Sequence, residues 1–349
     1  MTSFSEKQFY LDCFRHRAML LHAGELRSDP RVSSVVDELV ANRTMVIVVA
    51  SRFRKTDAAL RLSRAQMEAE SPRIALMSAR LLNRGLLCVR RPDGDSANAL
   101  HFSVDLASLL GVRKLVVIDE RGGLSDRIGE SSFVNATRLG RLCRDGSPRG
   151  DWSAGELRAL WEGIKAGVES TNLATPEGLA RELFTFEGSG TLITADEYCR
   201  FGRLGVEDFE DALRLLERGE REGFLLSRSE RQRFELLHCA HGVWFEHRRL
   251  AGVAGLRTAP YTSQGLGEIA GLYTISRFQG EGLGRRLLGH VVGEARRRGL
   301  VALFACTSSD RAAGFFQCNG FDRVAAERVP AKKWAGRGGP RPQVYWRAL

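Results

Sequence analysis

A glycine-rich segment late in the chain constrains the fold more than any other feature. It reads Arg277-Phe-Gln-Gly-Glu-Gly-Leu-Gly284 and joins an apolar run, Ile269 to Ile275, to a run with helical spacing that includes Leu287 and Leu288. Glycines between a strand and a helix let backbone N–H groups approach a phosphate, and the helix N-terminus adds unpaired donors and a partial positive charge. The segment therefore predicts a strand, loop and helix that bind a cofactor with a pyrophosphate.

Three kinds of phosphate-binding loop compete for this segment. A dinucleotide fold requires G-x-G-x-x-G early in a βαβ unit with an acidic residue about twenty positions later, and a nucleoside triphosphate loop requires G-x-x-x-x-G-K-[ST]. Here the spacing is Q-x-x-G-x-G near the end of the chain, and no Lys-Ser or Lys-Thr follows it. The segment from Gln279 to Gly284 instead resembles the acetyl-CoA loop of the GNAT family of N-acetyltransferases.

The elements predicted around the loop follow the order of that family. Two apolar runs separated by polar residues predict a hairpin, and a capped helix follows the loop. The predicted order is strand Gly242–Phe245, strand Leu250–Leu256, strand Gly267–Ile275, helix Gly282–Arg298, strand Val301–Cys306, a helix from Asp310 through Phe316, and strand Phe321–Arg328. The segment Phe315-Phe-Gln-Cys-Asn-Gly-Phe321 also resembles the Phe-Phe-x-x-x-Gly-Phe ending of the family's last helix.

The N-terminal half has an organisation of its own. Residues Val35 to Ala41 predict a helix that leads into a buried strand over Thr44 to Ala50, because the second run is β-branched on both faces. A helical pattern over His101 to Leu110 leads into a second buried strand over Lys114 to Asp119. Two further runs, Arg73–Ala79 and Gly85–Val89, predict short strands or a strand and a helix end. The alternation predicts a three-layer α/β domain with a parallel sheet.

Two stretches of this half resemble the amino acid kinase family. Residues 102–124 resemble its helix, strand and D-x-x-G-L turn, and residues 178–194 resemble the close of that domain in N-acetylglutamate synthases. The tandem resemblance implies a kinase-like domain over residues 1–200 and a GNAT domain with mixed α/β structure over residues 201–349. The second apolar strand runs into Ser51-Arg-Phe-Arg-Lys55 without a glycine triplet, and the first-strand K-x-G-G signature is absent. We therefore expect a shortened domain that has lost its ATP chemistry.

Composition limits the remaining classes of function. Seven cysteines without a C-x-x-C pair favour a reducing cytosol and argue against a zinc site, as does the lack of a carboxylate cluster beside His238, His241 and His247. Neither a signal peptide nor an apolar run of about 18 residues is visible, so we expect no membrane span and a cytoplasmic protein. The formal charge of +10 is spread along the chain, which does not indicate nucleic-acid binding.

The resemblance implies roles for individual residues. The resemblance implies that acetyl-CoA is bound by Tyr273, Thr274, Ile275, Gln279, Gly280, Glu281, Gly282, Leu283, Gly284 and Arg285. Glu268 would remove the proton of the acceptor ammonium, and Ser309, or its neighbour Ser308, would protonate the thiolate, because Phe316 stands where many relatives have a tyrosine. Arg228 and Arg341 would hold the carboxylates of the acceptor. We interpret Lys332 and Lys333 as solvated charges.

These residues predict transfer of an acetyl group from acetyl-CoA to the α-amine of an acidic amino acid, L-glutamate above all, which is the entry step of arginine synthesis. No metal is expected. Two alternatives stay open: a GNAT enzyme that acts on another amino acid or a specialised metabolite, and a non-catalytic sensor of arginine or acetyl-CoA. From the synthases, the resemblance also implies a homo-oligomer with arginine as an effector.

Overall fold

The computed structural model describes residues 6–24, 29–53, 59–61, 72–91, 94–126, 129–144, 152–185, 187–245, 249–275, 282–334 and 341–349. The chain divides into two compact units: unit 1 is Met1–Glu197 and unit 2 is Tyr198–Leu349. The strand Cys199–Arg203 lies wholly in unit 2, whereas the domain boundary expected between residues 200 and 201 would cut it.

Unit 1 is built on an eight-stranded sheet with the order β3-β4-β2-β1-β5-β9-β10-β8. Its strands, with the separate hairpin β6–β7, are β1 (Ala18–Gly24), β2 (Met45–Ala50), β3 (Leu60–Arg61), β4 (Leu86–Arg90), β5 (Lys114–Ile118), β6 (Leu124–Asp126), β7 (Gly129–Ser131), β8 (Phe133–Asn135), β9 (Ser170–Ala174) and β10 (Thr191–Thr194). The strands from β3 to β9 in this order are parallel, while β10 is antiparallel to β9.

Helices cover both faces of this sheet. They are α1 (Glu6–Phe14), α2 (Pro30–Ala41), α3 (Pro72–Arg84), α4 (Ser96–Leu109), α5 (Ala136–Arg144), α6 (Ala154–Lys165) and α7 (Leu179–Phe184). Alternate residues of β1 enter different cores, because successive side chains of a strand point to opposite faces. Leu20 packs with α3, α4 and α6, whereas Met19 and Leu21 pack with α1, α2 and α7. The predicted three-layer architecture is thus confirmed.

A buried polar network lies in unit 1, near the carboxyl ends of β1 and β5. The Nδ1 atom of His22 lies 2.8 Å from the hydroxyl oxygen of Ser103. Burial, with a smaller contribution from Arg91, lowers the pKa of His22 to about 4. Nearby, Arg121 bridges two carboxylates, with 2.7 Å to Asp119 and 2.8 Å to Glu156.

Unit 2 is a seven-stranded mixed sheet with the order β11-β12-β13-β14-β15-β17-β16. Its strands are β11 (Cys199–Arg203), β12 (Ala240–Phe245), β13 (Arg249–Arg257), β14 (Leu266–Thr274), β15 (Ala302–Thr307), β16 (Asp322–Val324) and β17 (Gln343–Ala348). Its helices are α8 (Phe209–Arg221), α9 (Glu230–Leu237), α10 (Leu283–Arg297) and α11 (Asp310–Cys318). Only the pair β14–β15 is parallel, and the last strand, β17, lies between β15 and β16.

The predicted elements of unit 2 are present, with three differences. The hairpin is β12–β13, and the loop lies between β14 and α10 as expected. Asp310 was the N-cap that the sequence suggested for the helix predicted from Asp310 through Phe316. The N-cap in the structure is Ser309, whose side chain accepts a hydrogen bond from the Ala312 amide. The strand expected over Phe321–Arg328 is limited to β16, and β11 and β17 were not predicted. In unit 1, the run Arg73–Ala79 belongs to the helix α3.

Candidate functional site

Helix α10 begins at a glycine, which has no side chain of its own with which to cap the helix. Gly282 has φ +81° and stands at the N-cap of α10, with no side-chain hydrogen bond at that position. A Cβ atom built on Gly282 would meet nothing within 4 Å, so its backbone conformation, and not crowding, favours glycine there. The first N–H groups of α10 therefore point out of the helix, as an anion site requires. Of the expected loop residues, Gln279, Gly280 and Glu281 lie outside the described residues.

The residues beside this helix start come from three elements. A Cβ atom on Gly284 would lie 3.5 Å from the Phe315 ring and 3.8 Å from the Thr274 methyl group. The first turn of α10 thus lies close to the end of β14 and to α11. Leu283 is buried in the first turn and Arg285 is exposed.

Strand β14 is bulged and then leaves its parallel neighbour. Two of its residues, Gly271 and Leu272, face the single residue Ala254 of β13, and Gly271 has φ +60°. A glycine with positive φ in such a place is a known type of β-bulge, which bends the strand. The pairing of β14 with β15 ends at Ile269 opposite Ala305. The two strands therefore part before the end of β14.

The three expected cofactor residues of β14 lie beyond this bulge. The backbones of Tyr273 and Thr274 pair with β13, and the Ile275 amide donates to the Ala251 carbonyl at 2.9 Å. The Tyr273 side chain is buried, and its hydroxyl donates to the Glu222 carboxylate at 2.7 Å. These contacts hold the end of β14 between β13 and the segment after α8.

Glu268 lies on β14 before the bulge and is almost completely buried, with 3% of its surface exposed. The Tyr261 hydroxyl donates to its Oε2 atom at 3.1 Å, and the Lys333 ammonium donates to its Oε1 atom. The Arg257 guanidinium lies 3.5 Å from Oε2. Burial, followed by the charge of Glu268, raises the pKa of Tyr261 above its ordinary value, so this hydroxyl keeps its proton as a donor.

Arg228 lies in the segment between α8 and α9, in a second charged group next to Glu268. Its guanidinium donates to the Leu226 carbonyl at 3.1 Å and lies 4.0 Å from Glu220. Arg233 forms an ion pair with the same Glu220 carboxylate at 2.7 Å. Burial lowers the pKa of Arg228, and the charges of Glu220 and Glu268 oppose that effect. Arg228 is therefore a largely desolvated cation whose nearest carboxylate already binds another arginine.

The other two expected site residues have contacts of a different kind. The Ser309 hydroxyl oxygen accepts from the Ala312 amide at 3.5 Å, which leaves its own proton available for donation. Arg341 is 52% exposed, lies 3.3 Å from the Glu327 carboxylate and stacks on the Trp334 ring at 5.3 Å. Because Trp334 directly follows Lys333, the stacking places Arg341 near the turn that carries Lys333.

The sequence interpretation missed three residues that contact Glu268, namely Lys333, Tyr261 and Arg257. Lys333 was interpreted as a solvated charge, but its side chain is only 13% exposed and binds Glu268, so that interpretation was wrong. The one available signal was the turn after Val329-Pro330, which resembles the synthases' L-P-x-x-K segment. Tyr261 carried no signal, because nothing in the local sequence shows that its hydroxyl faces Glu268.

A pair of histidines links α10 to β12, and the mechanism expected from the sequence does not use it. His241 Nδ1 lies 3.2 Å from His290 Nε2, and the His241 ring is buried. Burial, together with the nearby His290, lowers the pKa of His241 to about 4, and burial also lowers that of His290. In the ranges that the structure describes, no group of three or more His, Cys, Asp or Glu side chains is arranged to hold a metal ion. None of the described helices combines the length and the apolar composition needed to cross a bilayer.

In the comparison with known proteins, the chain is similar to acetyltransferases. Residues 208–321 match the acetyltransferase (GNAT) family. The chain is 30% identical over 312 residues to an amino-acid acetyltransferase of Ralstonia nicotianae, a match that covers 86% of this chain and 65% of that protein. A second amino-acid acetyltransferase, from Azotobacter vinelandii, is 28% identical over 225 residues, with 63% of this chain and 50% of that protein covered. The chain thus spans about half to two thirds of the length of these curated relatives.

Among solved structures, an N-acetylglutamate synthase from Neisseria gonorrhoeae, complexed with coenzyme A and L-arginine, matches with a TM-score of 0.65. The match covers 99% of this chain and 98% of that chain at 16% sequence identity, so it shows the fold. The expected fold class, a three-layer α/β domain with a parallel sheet followed by a mixed α/β GNAT domain, is confirmed. Unit 2 therefore contains a domain of the acetyltransferase (GNAT) family, in a chain that resembles amino-acid acetyltransferases over most of its length.

Proposed function

We propose that unit 2 binds acetyl-CoA and transfers its acetyl group to the α-amine of an acidic amino acid, with L-glutamate as the acceptor. Acetyl-CoA would supply the acetyl group as a thioester. The observation that carries the proposal is Glu268, a buried carboxylate on the strand that leads to the start of α10, with Arg228 close enough to feel its charge. The names of the relatives support the same reaction class.

The start of α10 suits the diphosphate of coenzyme A. Gly282 exposes the N–H groups of the first turn, and an anion there would be stabilised by the helix dipole. Beside it, β14 and β15 part after Ile269, so backbone donors near Tyr273 and Thr274 could face the thioester carbonyl. Donors that are already oriented stabilise the negative charge that develops on that oxygen.

Arg228 suits an acceptor carboxylate. Its guanidinium has lost much of its hydration, and Glu220, the carboxylate that lies 4.0 Å from it, also binds Arg233. A carboxylate of the acceptor would restore the lost interactions through two parallel hydrogen bonds. Arg341 is proposed to bind the second carboxylate of the acceptor. To do so, it must release its present partner, the exposed Glu327 carboxylate.

Glu268 and Ser309 would handle the protons. The acceptor arrives as an ammonium ion, gives one proton to the Glu268 carboxylate, and attacks the thioester carbonyl as a neutral amine. The carbon–sulfur bond breaks, the amine nitrogen loses a second proton to solvent, and the thiolate gains one proton. The Ser309 hydroxyl, which accepts from the Ala312 amide, is proposed to donate that last proton and to recover it from solvent.

The test is a thiol-release assay of the full chain with acetyl-CoA and a panel of amino acids. We expect the highest kcat/KM with L-glutamate. The E268Q variant should lose about 10²- to 10⁴-fold in kcat while its Kd for acetyl-CoA is unchanged. The matched control is E235Q, which changes an exposed glutamate of α9. If acetyl-CoA binds but no amino acid releases thiol, the proposal is wrong and the sensor alternative takes its place.

One observation favours a second acceptor class. Arg341 is half-exposed and paired with Glu327, so the described contacts leave Arg228 as the one expected acceptor arginine that is desolvated. A pocket with one such arginine suits an amino acid that has an α-carboxylate only. Preference for a neutral amino acid over L-glutamate in the same panel would establish this alternative.

We also propose that unit 1, taken as the domain of residues 1–200, is a shortened and non-catalytic kinase-like domain that supports a homo-oligomer and binds L-arginine. The Neisseria relative complexed with L-arginine supports this role. Light scattering measures the oligomer directly. A calorimetric titration with L-arginine, with L-lysine as the control, tests the effector.

A further inference from the structure

Glu268 is held by groups from three separate elements of unit 2. Tyr261 lies in the 3₁₀ turn Ala259–Gln264, Arg257 ends β13, and Lys333 ends the 3₁₀ turn Ala331–Lys333. Tyr261 and Arg257 both contact Oε2, at 3.1 and 3.5 Å, while Lys333 contacts Oε1. Lys333 is thus the one described contact that controls the second carboxylate oxygen.

The turn that carries Lys333 is itself fixed by packing. The Lys333 amide donates to the Pro330 carbonyl at 2.9 Å, and the indole N–H of Trp334 donates to the Ala326 carbonyl at 3.3 Å. The Trp334 ring packs against the core cluster that contains Tyr261 and Phe304. The lysine is therefore brought to Glu268 by the same apolar cluster that holds the tyrosine.

The Lys333 contact has a physical consequence for a proton acceptor. An ammonium group that is mostly buried must be paired, and its partner is in turn fixed in position. The terminal torsion of a glutamate is broad, so contacts to both oxygens are needed to define the plane of the carboxylate. A displacement of about 1 Å at a reacting group can lower a rate by about 10²-fold.

We propose that Lys333 is a positioning residue, which holds the Oε1 atom of Glu268 so that the carboxylate plane faces the acceptor amine. The inference rests on the proposed acetyl transfer. Arg257 and Tyr261 also contact this carboxylate, and its charge acts on Arg228 and on the Cys239 thiol. An opposing explanation is that Lys333 occupies the place of the acceptor amine and has to leave before the acceptor binds.

The two explanations differ in steady-state kinetics. In the full chain, K333M should lower kcat at least tenfold, with a KM for the amino acid and a Kd for acetyl-CoA that stay within about threefold of wild type. K333R should return kcat to within about threefold, because a guanidinium also donates to Oε1. The control is K332M, which changes the exposed neighbouring lysine and should keep wild-type values. K333A, which also removes the donor and leaves less side chain to bury, serves in place of K333M if that protein does not fold.

An unchanged kcat in K333M or K333A would overturn the proposal. A fall in the KM for the amino acid with kcat preserved would also overturn it, because that result is expected if Lys333 competes with the acceptor. A wild-type protein that binds acetyl-CoA and transfers nothing would instead disprove the proposed function, and this inference with it.

Discussion

Replacing Gly271 by alanine should destabilise unit 2, because both the backbone conformation and the space at this position oppose a side chain. Gly271 has φ +60°, and a Cβ atom there would lie 2.5 Å from Cδ2 of Leu236 and 3.2 Å from Cδ2 of Leu216. The backbone conformation alone costs alanine about 1–2 kcal/mol. Overpacking against two buried leucines adds about 1–3 kcal/mol, for a total of about 2–5 kcal/mol.

Gly282 provides the matched control for this substitution. It has φ +81° but open space around its Cβ position, so G282A carries the conformational cost without the crowding. The difference between the two variants, about 1–3 kcal/mol, measures the packing of Leu236 onto the bulge. At about 2–4 °C per kcal/mol, the transition of unit 2 should melt about 2–12 °C lower in G271A than in G282A.

Scanning calorimetry of the full chain follows the transition of each unit. We expect G271A to lower only the transition of unit 2, and to lower acetyl transfer as well, because the bulge directs Tyr273 and Thr274. Equal melting temperatures for G271A and G282A would show that Leu216 and Leu236 move aside at no cost in folding free energy, and that the crowding argument is wrong.

Three further outcomes are expected. First, G289A should stabilise unit 2 by about 0.5–1 kcal/mol in urea unfolding, because Gly289 lies inside α10 with nothing near its Cβ position, and a loss of stability would contradict the helix geometry. Second, R228M should raise the KM for the amino acid acceptor at least tenfold without affecting acetyl-CoA binding, and R341M should raise that KM less. An equal rise in KM for the two variants would mean that Arg341 leaves Glu327 when the substrate binds. Third, His22 and His241 have pKa values of about 4 in the folded protein against 6.5 for the free side chain, so the unfolded chain binds more protons between these values. Each should supply stability of about 3 kcal/mol that is present above pH 6.5 and is lost as the pH falls toward 4. In calorimetry over this range, H22Q should flatten the pH dependence of unit 1 only and H241Q that of unit 2 only, and an unchanged slope would refute this.

The elements around the loop could be predicted because their signals are local. Helix α10 has apolar residues at helical spacing and a glycine at its start, and β14 ends in the apolar run that begins at Ile269, so each appears in a short window of sequence. By contrast, the sequence left the run Arg73–Ala79 open as a strand or a helix end. The helical spacing of Ile74, Met77 and Leu81 becomes visible only when the window extends to Leu81, beyond that run.

The parts that could not be predicted depend on distant pairing. Strand β17 is short, and its place is defined only by pairing with β15 and β16. Lys333 contacts a carboxylate 65 residues earlier in the chain, and a lysine has the same local sequence signal whether it is buried or solvated. The buried state of Lys333 follows from the packing of Trp334 in the core, which is a property of the folded unit.

The position of β17 has a consequence for synthesis of the protein. In the described sheet, β16 pairs with β17 alone, and β15 needs β17 to complete its second edge. Every strand of the unit 1 sheet has left the ribosome before residue 198, so that unit can reach its native state during translation. Unit 2 keeps two unpaired edges until residues 343–348 emerge, and during this interval a nascent chain offers a surface on which a chaperone, or another nascent copy, could pair.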